Sequence, residues 1–280
     1  MKKENVFLVI WRSVYPLLIH FAVSLVLGFA YIFLKIFIIA FKAGGEMNAV
    51  SASEQALNSY IQHTLHILVV TSLLCIPVFV LLFHHDQKKI QNREPAERSL
   101  AAWVLLAITA VTVCISLNAL IGFTGLDKFS AKYQQVSEAL FSGGILLELA
   151  AVGVLGPICE EMIFRGLMFR RLCGHIKPLA AAVISSLVFG IYHGNIVQGV
   201  YAFCLGMVMA LCYIRFGTVW APILVHVAAN VTSVFITEIP FISNAWEQTS
   251  VLIVGTITTT IVWILGMWFL LKKKFREKLE

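Results

Sequence analysis

Near the middle of the chain the sequence reads Pro157-Ile-Cys-Glu160-Glu161-Met-Ile-Phe164-Arg165, which places two carboxylates and a guanidinium in an otherwise apolar segment. Apolar residues continue on both sides of this stretch, far enough to cross a membrane. A charged side chain at the centre of a bilayer costs about 2.5–3.5 kcal/mol on the insertion scale. A segment that carries three such charges within six residues is therefore predicted to use them.

The whole chain has the composition of a membrane protein. Hydrophobic residues make up 59% of its 280 residues and charged residues 13%, with a mean hydropathy of +0.87. A soluble domain of this size carries more charge, whereas a transmembrane helix needs about 20 mainly apolar residues. The predicted spans are Val14–Leu34, Ile61–Phe83, Leu100–Gly122, Gly143–Phe164, Leu179–His193, Ile196–Ile214, Val219–Ile236 and Val251–Leu271. We therefore predict an all-α fold, a polytopic transmembrane helical bundle of about eight spans.

The domain organisation is predicted to be simple. We expect a single integral membrane domain over residues 1–280, with N-terminal membrane helices in 1–140, a catalytic core in 145–235 and a basic tail in 272–280. The first apolar segment is too long for a typical signal-peptide core, so it is predicted to be retained as a helix. A weak amphipathic pattern over residues 126–142 predicts a segment at the membrane interface before the fourth span.

Basic residues cluster in alternate connections between the spans. One set of segments holds Lys2, Lys3, Arg12, Lys88, Lys89, Arg93, Arg98, Arg170, Arg171, Lys177, Arg215, Lys272, Lys273, Lys274, Arg276 and Lys278. Positively charged segments stay on the cytoplasmic side, so both termini are predicted to be cytoplasmic, in a bacterial cytoplasmic membrane. The net charge of +6 is spread over separate loops rather than one basic face. The lipid bilayer is therefore an expected partner, and nucleic acid is not.

The three charges in the fourth predicted span are expected to differ in role. Glu161 and Arg165 are four residues apart, so they share a helix face and can pair. Glu160 lies about 100° round the helix from Glu161 and need not share that partner. An unpaired carboxylate suits a general base. A structural charge cluster that locks helices together is the open alternative, above all for Glu161 and Arg165.

Three further polar residues lie in apolar segments. His193 ends the stretch Phe189-Gly-Ile-Tyr-His193, and His226 and Asn230 are four residues apart, so these last two share a helix face. Two donors on one face could hold the oxygen of a tetrahedral intermediate, each worth about 3–4 kcal/mol. These residues are candidates for a hydrolytic site within the membrane.

Counting along the helices predicts which of these residues lie at the same depth. A turn near Ile176 would fall 16 residues after Glu160 and 17 before His193, which brings the two to the same height in an antiparallel hairpin. His226 would lie closer to the cytoplasmic side in a straight seventh span. A tilted helix or a deeply placed turn before that span would correct the difference.

The motifs Glu160-Glu161-x-x-x-Arg165, Phe189-x-x-x-His193 and His226-x-x-x-Asn230 resemble those of a known family. This is the CAAX prenyl endopeptidase and bacteriocin-processing (CPBP or Abi) family, which contains type II CAAX prenyl proteases. The likeness covers about residues 145–235. It also includes Asn195, Gln198, Tyr201, Gly206 and residues 215–224.

The resemblance implies an intramembrane endopeptidase that acts on a membrane-associated peptide or protein. It implies that Glu160 and His193 activate a water, that His226 and Asn230 stabilise the oxyanion, and that Glu161, Arg165 and Phe189 support the site. Members are often called metalloproteases, and Glu160, His193 and His226 could supply three ligands to Zn²⁺. We prefer metal-free activation of water and keep zinc as the alternative.

Two other classes of function stay open from the sequence. A non-catalytic immunity or scaffold protein would bind a bacteriocin-like peptide or a partner, and its alanine variants would still protect cells. A proton-coupled transporter would use Glu160 and the histidines as a relay, although the sequence shows no inverted repeat. The sequence predicts no particular oligomeric state.

Overall fold

A computed structural model describes residues 5–44, 48–88, 97, 99–125, 128, 130–246 and 248–272. All regular structure in these ranges is helical. The helices are α1 (Val6–Lys42), α2 (Ala49–Gln62), α3 (Thr64–Lys88), α4 (Leu100–Thr124), α5 (Ala131–Leu140), α6 (Ile145–Cys173), α7 (Pro178–Tyr192), α8 (Ile196–Phe216), α9 (Trp220–Glu238), α10 (Pro240–Trp246) and α11 (Thr249–Lys272). The predicted all-α polytopic bundle is confirmed.

Each predicted span overlaps mainly with one of these helices, although Ile61–Phe83 begins in the last turn of α2. In the described ranges, α1, α3, α4, α8, α9 and α11 are long and apolar enough to cross a membrane. The pair α5 and α6 meets the same criteria only when joined, and the two helices are bent by 106° to each other. The fifth predicted span corresponds to α7, which has only 15 residues. The described residues therefore hold six candidate spans, or seven if the bent pair counts as one, which is close to the predicted number of about eight.

Helix α6 lies at the centre of the bundle and packs against α1, α3, α7, α8 and α9. Its side chains Phe164 and Leu167 are fully buried in the main hydrophobic core. Beside it, α7 and α8 form a close hairpin because two glycines face each other. A Cβ added to Gly190 would lie only 2.6 Å from the carbonyl oxygen of Gly199. Small residues at such a crossing let membrane helices approach closely.

Two stretches of α6 are π-helical, Leu149–Leu155 and Met162–Phe169. Between them lies the α-helical turn Gly156–Glu161. A π turn adds a residue to the helical turn and changes the direction in which the following side chains project. The two adjacent glutamates of the central motif therefore lie between two irregular turns, where α6 departs from a straight helix.

The α6–α7 and α8–α9 turns bear on the relative heights of the polar residues. The α6–α7 turn falls between Cys173 and Pro178, close to the predicted centre at Ile176. At the α8–α9 turn, Phe216 and Val219 are buried. Gly217 of this turn and Trp220 at the start of α9 are exposed, so the turn is only partly covered by the rest of the protein and the height of His226 stays a prediction.

The opposite end of the bundle from α5 carries a group of basic residues. Arg171 Nε lies 2.6 Å from Asp86 Oδ2, and Arg171 also donates to the Arg12 carbonyl. An Arg215 Nη atom lies 2.7 Å from Glu97 Oε2. The predicted basic tail lies outside the described residues after residue 272. The direction of the termini across the membrane stays a prediction.

Candidate active site

Glu161 and Arg165 form a buried ion pair near the centre of α6. Arg165 donates from Nη1 to Glu161 Oε1 across 2.7 Å, at the spacing of four residues that the sequence predicts. Neither side chain has exposed surface. Breaking such a pair leaves an uncompensated charge, which is strongly destabilising. The pair therefore makes it possible to hold both charges inside the bundle.

His226 of α9 joins this pair. Its Nδ1 atom lies 2.9 Å from Glu161 Oε1, and the ring is almost fully buried. A carboxylate only accepts hydrogen bonds, so Nδ1–H is the donor. The other nitrogen, Nε2, lies 3.7 Å from Glu160 Oε2, which is too far for a direct hydrogen bond. One ring nitrogen of His226 is bound to Glu161 and the other faces Glu160.

Glu160 has different surroundings from its neighbour Glu161. Its side chain is 17% exposed and lines a cavity. In the described part of the chain, no Lys or Arg nitrogen lies within 4.0 Å of its carboxylate. The division that the sequence predicts between a paired and an available carboxylate is present in the structure.

His193 lies directly after the last residue of α7. Its Nδ1 atom is 2.9 Å from the carbonyl oxygen of Phe189, while its own main-chain N–H donates to Gly190. The last carbonyls of a helix have no main-chain donor within the helix, and the imidazole of His193 donates to one of them, that of Phe189. Because a carbonyl only accepts, Nδ1 carries the hydrogen and the neutral ring presents Nε2 as an acceptor.

The ring of Phe189 contacts Arg165 as well as the two histidines of the site. This ring stands nearly perpendicular to His193, with centroids 4.8 Å apart, and to His226, with centroids 5.6 Å apart. The guanidinium carbon of Arg165 lies 4.5 Å from the same ring centroid. This cation–π contact matters because Arg165 Nε and Nη2 have no hydrogen-bond partner within the described residues.

Asn230 lies one helical turn after His226 on α9. Its Nδ2 atom donates across 2.8 Å to the carbonyl oxygen of Val152, in the first π turn of α6. The amide has two N–H groups, and its second N–H has no partner among the residues that the structure describes. This bond fixes the orientation of Asn230 and leaves one donor available.

All four predicted catalytic residues, Glu160, His193, His226 and Asn230, line a single cavity of about 740 Å³. Phe189 lines it too, whereas Glu161 and Arg165 lie behind its wall. Further wall comes from α1, α4, α5 and α8. The sequence motifs, separated by up to 70 positions between Glu160 and Asn230, therefore meet at one place.

His20 and Tyr192 are two of the cavity residues that lie outside the motifs. His20 of α1 is buried, and the hydroxyl of Tyr192 lies 3.3 Å from its Nδ1 atom. Both line the same cavity as Glu160. The sequence gives His20 no charged neighbour at helical spacing and only Ser24 as a polar one, so its main signal is a histidine in an apolar segment. Its place beside the site depends on how α1 packs against α6 and α7.

The possible zinc ligands Glu160, His193 and His226 all border the cavity. Within the ranges that the structure describes, no three His, Cys, Asp or Glu side chains are arranged to hold a metal ion. Both histidines do have an Nδ1 contact of the kind that orients ligand histidines. Zinc binding at these three residues stays a prediction.

Comparison with known proteins agrees with the motifs. Residues 142–232 match the family described as type II CAAX prenyl endopeptidase, Rce1-like. The chain is 27% identical over 187 residues to "Putative membrane peptidase YdiL" of Bacillus subtilis (strain 168), covering 65% of this chain and 75% of that protein. It is 24% identical over 182 residues to "Membrane-embedded CAAX protease MroQ" of Staphylococcus aureus (strain USA300), covering 61% and 70%. No solved structure gives a significant match.

The matched segment contains all seven motif residues of the site, and His20 lies outside it. Apolar helices and membrane-peptidase relatives together identify an integral membrane protein. The resemblance to type II CAAX proteases is confirmed. Over residues 142–232, this membrane protein is similar to the Rce1-like family of type II CAAX prenyl endopeptidases.

Proposed function

We propose that the protein is an intramembrane endopeptidase that hydrolyses a peptide bond in a membrane-associated peptide or protein. The observation that carries the proposal is the contrast between two adjacent glutamates. Glu161 is buried between Arg165 and His226, whereas Glu160 opens into the cavity that His193 also lines. A general base must reach the water that it deprotonates, and only Glu160 has that access.

In the proposed mechanism, one water molecule binds to both Glu160 and His193, which line the same cavity. A carboxylate oxygen of Glu160 and Nε2 of neutral His193 can each accept one hydrogen bond from it. Both hydrogens of the water are then held, and a lone pair on its oxygen is left for the carbonyl carbon of the substrate. As the new C–O bond forms, one proton passes to Glu160, and the carbonyl oxygen becomes an oxyanion.

His226 and Asn230 supply donors for that oxyanion. When His226 is an imidazolium, Nδ1–H stays on Glu161 and Nε2–H is available. One preorganised donor is worth about 2.7–4 kcal/mol of barrier lowering.

The reaction ends when the tetrahedral intermediate collapses. The C–N bond breaks, and the proton held by Glu160 passes to the leaving nitrogen. The products are a carboxylic acid and an amine, which become a carboxylate and an ammonium when the acid gives its proton to the amine, so no other reactant than water is required. Glu160 acts first as a base and then as an acid, and it finishes in its starting state.

Comparative peptide analysis tests this proposal. Cells that express the wild type, Glu160→Gln or a control, Glu138→Gln, are compared at matched membrane levels. Glu138 is a residue of α5 that does not line the cavity. We expect at least one cleavage product to be present with the wild type and the control and absent with Glu160→Gln.

An unchanged peptide pattern from a folded, inserted Glu160→Gln protein would contradict a catalytic role. That result would favour the non-catalytic alternative, in which the protein binds a peptide or a partner without cleaving it. If the same variant still protected cells against a bacteriocin-like peptide, that result would support the non-catalytic alternative.

A further inference from the structure

A row of polar side chains on α9 begins at the catalytic candidates and continues towards the C-terminal end of the helix. His226, Asn230, Ser233 and Thr237 follow one another at spacings of four, three and four residues, which places them on one helix face. All four line the cavity. We call this row the α9 polar stripe. It continues the site beyond the groups that the proposed mechanism uses.

The length of the stripe suits a short stretch of extended chain. His226 and Thr237 are 11 residues apart, which at 1.5 Å per residue corresponds to about 16 Å along the helix axis. An extended polypeptide advances about 3.3 Å per residue. The stripe therefore matches about five residues of extended substrate.

Polar residues from two other helices also line the cavity. Gln198 and Tyr201 of α8 line it, and Asn118 of α4 lies beside the stripe, 3.5 Å from Ser233 Oγ through its Nδ2 atom. Gln198 accepts from Asn195 at Oε1, and its Nε2 group has no partner in the described ranges. Asn230 Oδ1 likewise has no protein partner among these residues.

Amide groups without a protein partner need another hydrogen-bond partner within a membrane. A polar group at bilayer depth that lacks a partner is expensive, so a ligand or water must satisfy it. An extended peptide has the complementary need, because its N–H and C=O groups make no internal hydrogen bonds. Side-chain amides offer both donors and acceptors and can pair with either group.

We propose that the α9 polar stripe and Gln198 bind about five residues of substrate, in extended conformation, on one side of the cleaved bond. This inference rests on the proposed endopeptidase function and specifies its substrate as an unfolded polypeptide segment. The stripe ends at Thr237, towards the part of the cavity that Tyr133, Val136 and Leu140 of α5 line. The substrate segment lies between the catalytic residues and this helix.

Cleavage profiling tests the inference with a peptide library in place of the natural substrate. The purified full-length protein, in lipid nanodiscs, is incubated with a library of peptides from digested cell proteins. The Glu160→Gln variant serves as the negative control. Cleavage by the wild type should show residue preferences over about five positions on one side of the cut. The best-cleaved sequence is then made as a synthetic peptide for kinetics and for shortening from each end.

Two threonines of α9 provide a matched pair of variants. Thr237 and Thr232 each donate to the carbonyl four residues earlier, but only Thr237 lines the cavity. We expect Thr237→Val and Gln198→Leu to raise KM for the synthetic peptide by about threefold to tenfold, the effect of one lost hydrogen bond. We expect Thr232→Val to leave KM unchanged. Shortening the peptide should raise KM on one side only.

The outcomes separate this inference from the function on which it rests. Glu160-dependent cleavage that is insensitive to peptide length and to Thr237→Val and Gln198→Leu would overturn the extended-binding inference and leave the peptidase intact. No Glu160-dependent cleavage of any library peptide would overturn both. Equal effects of Thr237→Val and Thr232→Val would show a general disturbance of α9 and also contradict the inference.

Discussion

Pro157 determines the hydrogen-bond partner of Asn230. In the π turn that ends at Leu155, the N–H of Gly156 donates to Ala151, five residues earlier. The next bond of this register would join residue 157 to Val152, but proline has no N–H. The carbonyl of Val152 is therefore left without a helical donor, and Asn230 donates to it across 2.8 Å.

Replacing this proline should weaken catalysis without weakening the fold. Pro157→Ala restores an N–H that competes for the Val152 carbonyl and releases the side chain of Asn230. We expect kcat to fall, with an upper limit of about 100–1000-fold for the loss of one oxyanion donor. In the Asn230→Ala background the same change should have no further effect, as a double-mutant cycle would show. An equal loss in both backgrounds would contradict the link.

Conservative changes of the two adjacent glutamates should differ in effect, one on cleavage and the other on stability. Glu160→Gln should abolish cleavage and leave thermal stability in detergent close to that of the wild type, because Glu160 is not in the buried ion pair. Glu161→Gln leaves Arg165 as an uncompensated buried charge, which should reduce the unfolding free energy by about 3–5 kcal/mol. Equal stability of the two variants would show that the Glu161–Arg165 pair is not needed for folding.

Gly206 should be required for the position of Arg165. A Cβ at this position would lie 2.8 Å from Arg165 Nη2 and 3.0 Å from Ser186 Cβ, both closer than normal packing permits. We expect Gly206→Ala to cost about 1–3 kcal/mol of stability and to lower activity. Gly255→Ala in α11 is the control, since no atom lies within 4 Å of the added Cβ. A similar loss in both variants would indicate only a general effect of alanine in these helices.

Activity should survive removal of divalent metals if water is activated as proposed. After dialysis against a strong chelator, we expect the rate of cleavage to stay the same, and added Zn²⁺ to give no increase. Peptide turnover by the purified protein is the measurement. Loss of activity on chelation, with recovery on adding Zn²⁺, would instead support Glu160, His193 and His226 as zinc ligands.

The orientation in the membrane can be measured with reporter fusions. We expect a fluorescent protein at the C-terminus to fluoresce in a bacterial host and alkaline phosphatase at the same place to be inactive, because basic segments stay in the cytoplasm. Fusions after residue 125, before α5, should behave in the opposite way. The reverse pattern would place the α5 end of the cavity on the cytoplasmic side.

The sequence alone determined the features that depend on spacing within one helix. The period of 3.6 residues fixes which side chains share a face, so the Glu161–Arg165 pair and the common face of His226 and Asn230 could be predicted. Counting residues about a short turn also placed Glu160 and His193 at one height. Hydropathy predicted the helical bundle, although α7 proved short and the fourth span is preceded by a bend of 106°.

Only the tertiary structure decided how these faces meet. Glu161 binds both Arg165 and His226, Asn230 binds the main chain of α6, and His20 comes into the site from α1. Such contacts depend on the rotation and crossing of each helix and on where π turns interrupt α6. These are set by side-chain packing between segments far apart in sequence, which has no local periodic signal. The same packing leaves Glu160 open to the cavity while its neighbour is buried.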